Sequence, residues 1–247
     1  MTNPASETTV ERTRVKKSTL SARPRIALLD QRRQVFGPPI EALAAALQKQ
    51  VSRDFAPQWG RDARILAIPR GHDPPEGSWW LVILDYAGRG ALGYHFVTAE
   101  GLPQAVVGAV SSGERWPVVA SHELLEMLSN PLLNVCIYNP KLNRNIPREV
   151  CDPCEADAYH INPANSESIQ VANFVYPTWF RSNAYGLKNK DGGPFDHMRR
   201  IHAPFDVSPT GGWINPSGCP QAGKSVTQHM RKVPRQKEIP AGKRRTR

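Results

Sequence analysis

The segment Val118–Leu128, VVASHELLEML, constrains the fold of this chain more than any other part of the sequence. Its apolar residues recur at the spacing of a helix with one buried face. Pro117 suits the first turn, where its missing N–H costs nothing, and Asn130-Pro131 ends the pattern. An unpaired charge inside a buried helix costs several kcal/mol, so the histidine and the two glutamates of this segment need partners.

His122 and Glu126 lie four residues apart, so a helix places them one above the other on one face. An imidazole and a carboxylate on adjacent turns form a two-point clamp for a divalent cation such as Zn²⁺, which accepts nitrogen and oxygen ligands. Glu123, next to His122, lies where a general base would take a proton from water on the metal. The spacing matches the H-E-x-x-H helix of zinc hydrolases, with Glu126 in place of the second histidine. The alternative is an ordinary amphipathic helix with these groups in water.

A second cluster, Glu149–Asp157 with the sequence EVCDPCEAD, follows about twenty residues later. Its four carboxylates and two thiols are ample for a third metal ligand. Cys151-x-x-Cys154 by itself also fits a redox pair or half of a structural zinc site. A redox pair is disfavoured because no thioredoxin-like βαβ pattern surrounds the motif. A structural zinc site is disfavoured because the sequence has no second C-x-x-C. Cys136 and Cys219 stand singly.

The H-E-x-x-E helix and the downstream Glu149-x-x-Asp152-x-Cys154 together resemble a zincin-like family. Similar pairs of motifs occur in bacterial and fungal proteins and, more distantly, in plant exordium-type proteins. The similarity extends over roughly residues 93–213. The later segments that resemble the bacterial members are Val171–Phe180, Phe195-Asp196, Pro204-Phe205 and Gly211-Gly212-Trp213.

This resemblance implies a metallopeptidase-like fold in which His122 and Glu126 are ligands and Glu123 is the general base. Glu149 is the preferred third ligand. Asp152 would then orient His122, as a metal-bound histidine usually requires, or would be a ligand itself if Glu149 points away. Zn²⁺ is the expected cofactor, although the many oxygens also suit a harder cation such as Mn²⁺ or Ca²⁺.

His160 and Glu155 lie in or near the acidic cluster in the sequence, and each is a candidate to line the site. His160 either lines the site and steadies an oxyanion or is an ordinary surface histidine. Glu155 is a further candidate to line the site. By contrast, His95 lies in a predicted strand between Tyr94 and Phe96, where we expect it to support the fold.

The periodicity of the chain predicts an α+β fold in which a small mixed sheet packs on the central metal-binding helix. A helix is expected at 39–55 and strands at 63–68, 79–85 and 93–98. A possible fourth strand at 104–110 would be the edge strand that pairs with an extended substrate. After residue 132 there is little periodicity beyond a possible strand at 169–175, so the carboxyl-terminal half is expected to be irregular.

The net charge of +10 belongs to the two ends of the chain. Residues 1–24 carry +3 and residues 224–247 carry +8, whereas 25–223 carry −1. We therefore expect one domain at 25–223 between two disordered tails. The favoured interpretation of the second tail is plain solvated disorder, and the alternative is nonspecific contact with an anionic partner. A folded domain that reads nucleic acid is disfavoured. There is no apolar run near the ~20 residues of a membrane span, and no signal-peptide core, so a cytoplasmic protein is expected.

Two functions remain. The first is a metal-dependent, peptidase-like hydrolase that uses water activated by Glu123. The alternative is a catalytically inactive scaffold of the same kind, with a structural metal and with basic tails that bind a partner or nucleic acid.

Overall fold

The structure is a computed structural model that describes residues 23–88, 90–139, 144–155, 157–164 and 166–180 of the 247. Several expectations concern other parts of the chain. The carboxyl-terminal basic tail, most of the amino-terminal tail, Cys219 and the segments between Phe195 and Trp213 lie outside the described residues.

A five-stranded sheet forms the centre of the fold. Its strands are β1 (Arg25–Asp30), β2 (Arg64–Ile68), β3 (Trp79–Leu84), β4 (Gly93–Val97) and β5 (Pro103–Gly108). The spatial order is β2-β1-β3-β5-β4. The first four strands in this order are parallel, and β4 pairs with β5 in the antiparallel direction. β4 is therefore the edge strand at one side of the sheet.

Successive side chains of a strand point to opposite faces of the sheet, and the central strands carry apolar residues on both faces, as expected of parallel strands. On β1, Ile26 and Leu28 belong to the main core, whereas Ala27 and Leu29 form a smaller cluster with Ile68 and others. The main core lies between the sheet and the helices.

Two hairpins follow the sheet in the described part of the carboxyl-terminal half. One pairs β6 (Cys136–Asn139) with β7 (Arg144–Pro147), and the other pairs β8 (Ala158–Ile161) with β9 (Ile169–Ala172). Short 3₁₀ turns lie at Asp152–Cys154 and Pro177–Phe180.

The helices pack on one face of the sheet. They are α1 (Ile40–Lys49), which continues as a π-helical segment at Gln50–Phe55, then α2 (Ala56–Trp59), α3 (Ala109–Ser112) and α4 (Trp116–Ser129). Gly60 ends α2 in the left-handed conformation, with φ of +66°, which glycine adopts without strain. α4 packs against β3, β4, β5 and β9, so it is central to the molecule.

The α+β fold class and the central helix are confirmed. The helix expected at 39–55 is present but becomes π-helical after Lys49 and reaches Trp59. The strands expected at 63–68, 79–85, 93–98 and 104–110 are observed as β2, β3, β4 and β5. Among the described residues, no helix has the length and apolarity needed to cross a bilayer.

Two expectations about the strands are wrong, and one strand was missed. The strand at 104–110 is not an edge strand, because the chain before it folds back as β4 and covers its outer side. β1 was not expected, although its short apolar run resembles those of β3 and β5. The strand expected at 169–175 is observed as β9 (Ile169–Ala172), whereas β6, β7 and β8 replace part of the irregular structure expected after residue 132.

A chain of buried hydrogen bonds connects the π-helical segment, α4 and β9. Ser121 Oγ donates to Gln50 Oε1 at 2.7 Å, and Gln50 Nε2 donates to the Ala172 carbonyl at 2.8 Å. The Ala172 N–H donates to Ser121 Oγ at 3.1 Å. Because these bonds hold Ser121, they also fix the rotation of α4 about its axis and therefore the direction in which the adjacent His122 points.

Ser121→Ala should lower the free energy of unfolding by about 1–3 kcal/mol, because the buried Ala172 N–H loses its acceptor. Denaturant unfolding followed by circular dichroism measures this change. Ser166→Ala, at an exposed serine, is the control and should change stability by less than about 0.5 kcal/mol. Equal losses in the two variants would contradict the assigned network.

Candidate metal centre

Six ionisable side chains from three parts of the fold converge in a buried group, named here the His–carboxylate cluster. Its members are His95 on β4, His122, Glu123 and Glu126 on α4, and Glu149 and Asp152 after β7. Their side chains are between 5% and 17% exposed. The structure thus brings together all the residues expected as ligands and as the general base.

Glu126 holds the segment after β7 against α4. Its Oε1 atom accepts the backbone N–H groups of Cys151 and Asp152, each at 3.3 Å. These bonds orient the Glu126 carboxylate and bring the Asp152 side chain to the helix.

Asn130 positions Glu149. Its side-chain amide donates to Glu149 Oε1 at 3.3 Å, and its Oδ1 accepts the Val135 N–H at 3.0 Å. The residue that ends α4 therefore also fixes the turn and the carboxylate that follow it.

The imidazole of His122 faces two carboxylates with the same nitrogen. His122 Nε2 lies 3.1 Å from Glu126 Oε1 and 3.2 Å from Asp152 Oδ1. Asp152 therefore lies on the ligand side of the imidazole, which favours the expectation that it is a ligand over the expectation that it orients His122 from behind.

The imidazole of His95 lies between Glu123 and Glu149. His95 Nδ1 is 3.2 Å from Glu123 Oε2, a hydrogen bond that the nitrogen donates. His95 Nε2 faces Glu149 Oε2 at 3.6 Å, and neither of these two buried atoms has a hydrogen-bond partner. Glu149 therefore pairs with His95 rather than with His122.

The cluster contains four carboxylates and two imidazoles, so its burial opposes full ionisation. Burial and the neighbouring Asp152 raise the pKa of Glu126 to about 7, and burial raises the pKa of Glu149 to about 7. Burial disfavours the charged form of His95, but the Glu149 and Glu123 carboxylates outweigh it and raise its pKa to about 9. Without a cation, the cluster therefore retains protons.

The donor atoms fit a divalent cation. Two sets of three donors have ligand atoms within 4.8 Å of one another: His122, Glu126 and Cys151, and His95, Glu126 and Glu149. Two ligands of one tetrahedral Zn²⁺ lie about 3.4 Å apart, close to the separations observed here. Nitrogen, oxygen and sulfur are all donors that Zn²⁺ accepts, and buried atoms without partners are available in His95, Glu149 and Asp152.

His160 and Glu155 are on the surface rather than in the cluster. The alternation of β8 buries Tyr159 and Ile161 and turns His160 outward, where its Nδ1 lies 3.1 Å from Ser168 Oγ. Glu155 is exposed, and its carbonyl accepts a hydrogen bond from Arg115. The structure does not bring either residue to the site.

His95 is the member of the cluster that the sequence did not indicate. Its neighbours in the strand gave no sign of a ligand, because one histidine between two aromatic residues is typical of a structural position. Only the packing of β4 beside α4 brings His95 into the cluster.

The three cysteines among the described residues are of two kinds. Cys151 and Cys154 are free, buried thiols, whereas Cys136 is disulfide-bonded and does not stand singly. Burial raises the pKa of both free thiols well above the usual range, which is the opposite of what a reactive redox pair requires. Cys151 instead lies within reach of His122 and Glu126.

No protein-family model, curated protein or solved structure matches this chain. The likeness to zincin-like proteins therefore depends on the motif residues alone.

Gly93 on β4 allows the edge strand to approach α4. A Cβ atom at this position would lie 2.7 Å from Val119 Cγ1, 2.8 Å from Glu123 Oε1 and 2.9 Å from Glu123 Cγ. The absence of a side chain at Gly93 therefore leaves room for Glu123 beside His95.

Gly93→Ala should destabilise the fold by about 1–3 kcal/mol, because the added methyl group overpacks a buried contact. Thermal and denaturant unfolding measure this loss. The loss should be smaller in a Glu123→Ala background, since two of the three close contacts are with Glu123. Strictly additive effects would contradict the close approach.

In the presence of a chelator, stability should fall as the pH rises from about 5 to about 8. The folded-state pKa values of Glu126 and Glu149, about 7, lie above their ordinary value of 4.5. Their stabilisation is therefore complete below the unfolded-state pKa and is lost as these groups ionise in the folded protein. The pKa of His95 is also raised, so its contribution has the same sign.

Melting temperatures across this pH range, with chelator and with added Zn²⁺, measure the effect. Zn²⁺ at pH 8 should restore stability, because a cation that binds only the folded protein takes the place of the protons. A melting temperature that rises from pH 5 to pH 8 in chelator would contradict the arrangement.

Proposed function

We propose that this chain is a metal-dependent hydrolase of the zincin-like kind that cleaves peptide bonds, with α4 as its metal-binding helix. The observation that carries the proposal is the His–carboxylate cluster itself. Four buried carboxylates around two imidazoles leave an excess of negative charge that a divalent cation would compensate.

His122, Glu126 and Asp152 are the side chains we assign to holding the cation, in place of the Glu149 that the sequence favoured as third ligand. His122 Nε2 already lies within 3.2 Å of one oxygen from each of Glu126 and Asp152. A bound divalent cation supplies a Lewis acid that polarises a carbonyl and lowers the pKa of water towards neutrality.

Glu123 is the group we assign as general base. It follows the ligand His122 in the sequence, and its Oε2 atom accepts a hydrogen bond from His95 Nδ1. This bond fixes the orientation of the carboxylate, so that it can take a proton from attacking water and deliver it to the leaving amine.

The edge strand β4 supports a peptide as the substrate. It lies at the end of the described sheet and carries His95 of the cluster, so an extended peptide that adds to this edge would pass beside the site. We therefore transfer to β4 the substrate-binding role that the sequence suggested for residues 104–110.

The alternative is a structural metal in an inactive scaffold whose basic tails bind a partner or nucleic acid. The low exposure of the cluster favours this alternative, because a structural site is closed whereas a catalytic site keeps a position open to substrate. The two functions differ in whether Glu123 is needed for turnover.

Glu123→Gln should reduce hydrolysis of a mixed peptide substrate by roughly 10²-fold or more, since the amide cannot accept the proton. Its metal content should remain that of the wild-type chain. Hydrolysis by the wild-type chain should be lost in chelator and restored by Zn²⁺. Glu155→Gln, at an exposed glutamate of the same region, is the matched control and should retain full activity.

Two results would overturn the catalytic proposal. The first is a wild-type rate no higher than that of the buffer. The second is equal turnover by the wild-type chain and Glu123→Gln, which would indicate a contaminating peptidase. Stoichiometric metal without turnover would instead support the structural alternative.

A further inference from the structure

We propose that the His–carboxylate cluster has two adjacent cation positions that share Glu126. The first uses His122, Glu126 and Cys151 with Asp152 beside them, and the second uses His95, Glu126 and Glu149. This inference rests on the proposed function, because it extends one metal position to a two-metal centre.

The Glu126 carboxylate faces the two imidazoles with different oxygens. Its Oε1 atom lies 3.1 Å from His122 Nε2, whereas its Oε2 atom lies 3.8 Å from His95 Nδ1. Both sets of donor atoms within 4.8 Å of one another include this residue. The 3.8 Å contact is with the His95 nitrogen that donates to Glu123, so the bridging role of Glu126 rests on its presence in both donor sets. The two ions of two-metal hydrolases lie about 3.5–4 Å apart.

The second position is arranged for a cation rather than for hydrogen bonds. His95 Nδ1 donates to Glu123 Oε2, so in the neutral imidazole the lone pair is on Nε2. That nitrogen is buried without a partner, 3.6 Å from the equally unpartnered Glu149 Oε2, and only 9% of the His95 side chain is exposed. A metal-bound histidine usually donates its other N–H to a carboxylate in this way.

The first position has a different donor set. His122 Nε2, Glu126 and the Cys151 thiol provide nitrogen, oxygen and sulfur, while Asp152 Oδ1 lies 3.2 Å from the same nitrogen. Thiolate favours Zn²⁺, whereas the nitrogen and oxygen donors of the second position also accept Mn²⁺. The two positions therefore differ in the cations that they select.

Charge balance also favours two ions. The four carboxylates Glu123, Glu126, Glu149 and Asp152 and the Cys151 thiolate carry five negative charges when ionised, and the two imidazoles are neutral as ligands. One divalent cation leaves three of these charges uncompensated, whereas two leave one. An uncompensated buried charge is strongly unfavourable, so the second ion stabilises the site.

Metal stoichiometry tests the inference independently of activity. The full chain is stripped with chelator, dialysed and titrated with Zn²⁺ alone, and bound metal is counted by elemental analysis. The wild-type chain should bind two ions more than the His95→Gln/His122→Gln double variant, which corrects for sites elsewhere. His95→Gln and His122→Gln should each lose one ion, and His160→Gln, at an exposed histidine, should lose none.

The outcomes separate this inference from the proposed function. One ion above the double variant, unaffected by His95→Gln, would overturn the second position and leave the single-metal hydrolase intact. No ion above the double variant would overturn both.

A measurement on the wild-type chain covers the case in which a variant does not fold. Co²⁺ accepts thiolate as well as nitrogen and oxygen donors, so it can occupy both positions. The electron paramagnetic resonance spectrum of the Co²⁺-loaded protein should show two coupled ions. A spectrum of isolated Co²⁺ at saturating metal would overturn the shared site.

Discussion

The carboxylate of Glu126 is the contact on which the rest of the site depends. It accepts two backbone N–H groups from the segment after β7, contacts His122 on its own helix and reaches His95 on the edge strand. Three separate parts of the chain therefore meet at one buried side chain. Because a buried carboxylate is costly without such partners, the same contacts that satisfy Glu126 also define the geometry of the cluster.

The surrounding fold places the cluster where its parts can meet. Four parallel strands with a buried face support α4, and the reversal of direction at β4 returns the chain along that helix. Gly93 lets β4 approach closely enough for His95 to reach Glu123. The hydrogen bonds of Gln50 and Ser121 then fix α4 against β9 on its other side. Rigid elements thus hold ionisable groups that would otherwise repel one another.

Much of the fold and most of the site were predictable from local patterns. The helix that carries His122 and Glu126 was indicated by its apolar periodicity, and Glu149 and Asp152 by the density of carboxylates. β1 was missed although its apolar run resembles those of β3 and β5, which were predicted. A short apolar run without alternation does not by itself distinguish a strand from a buried helical segment. The edge position of β4 was missed because strand order depends on pairing between distant segments, which local periodicity does not encode.

The sequence by itself determined the helix, its i and i+4 ligand pair and the supply of acidic groups, since these follow from helical geometry and composition. Only the tertiary structure decided which groups face each other. It paired Asp152 with His122 and Glu149 with His95, and it turned His160 to the surface. The physical reason is that a ligand set is a property of distances between atoms far apart in the chain, and these distances are fixed by packing.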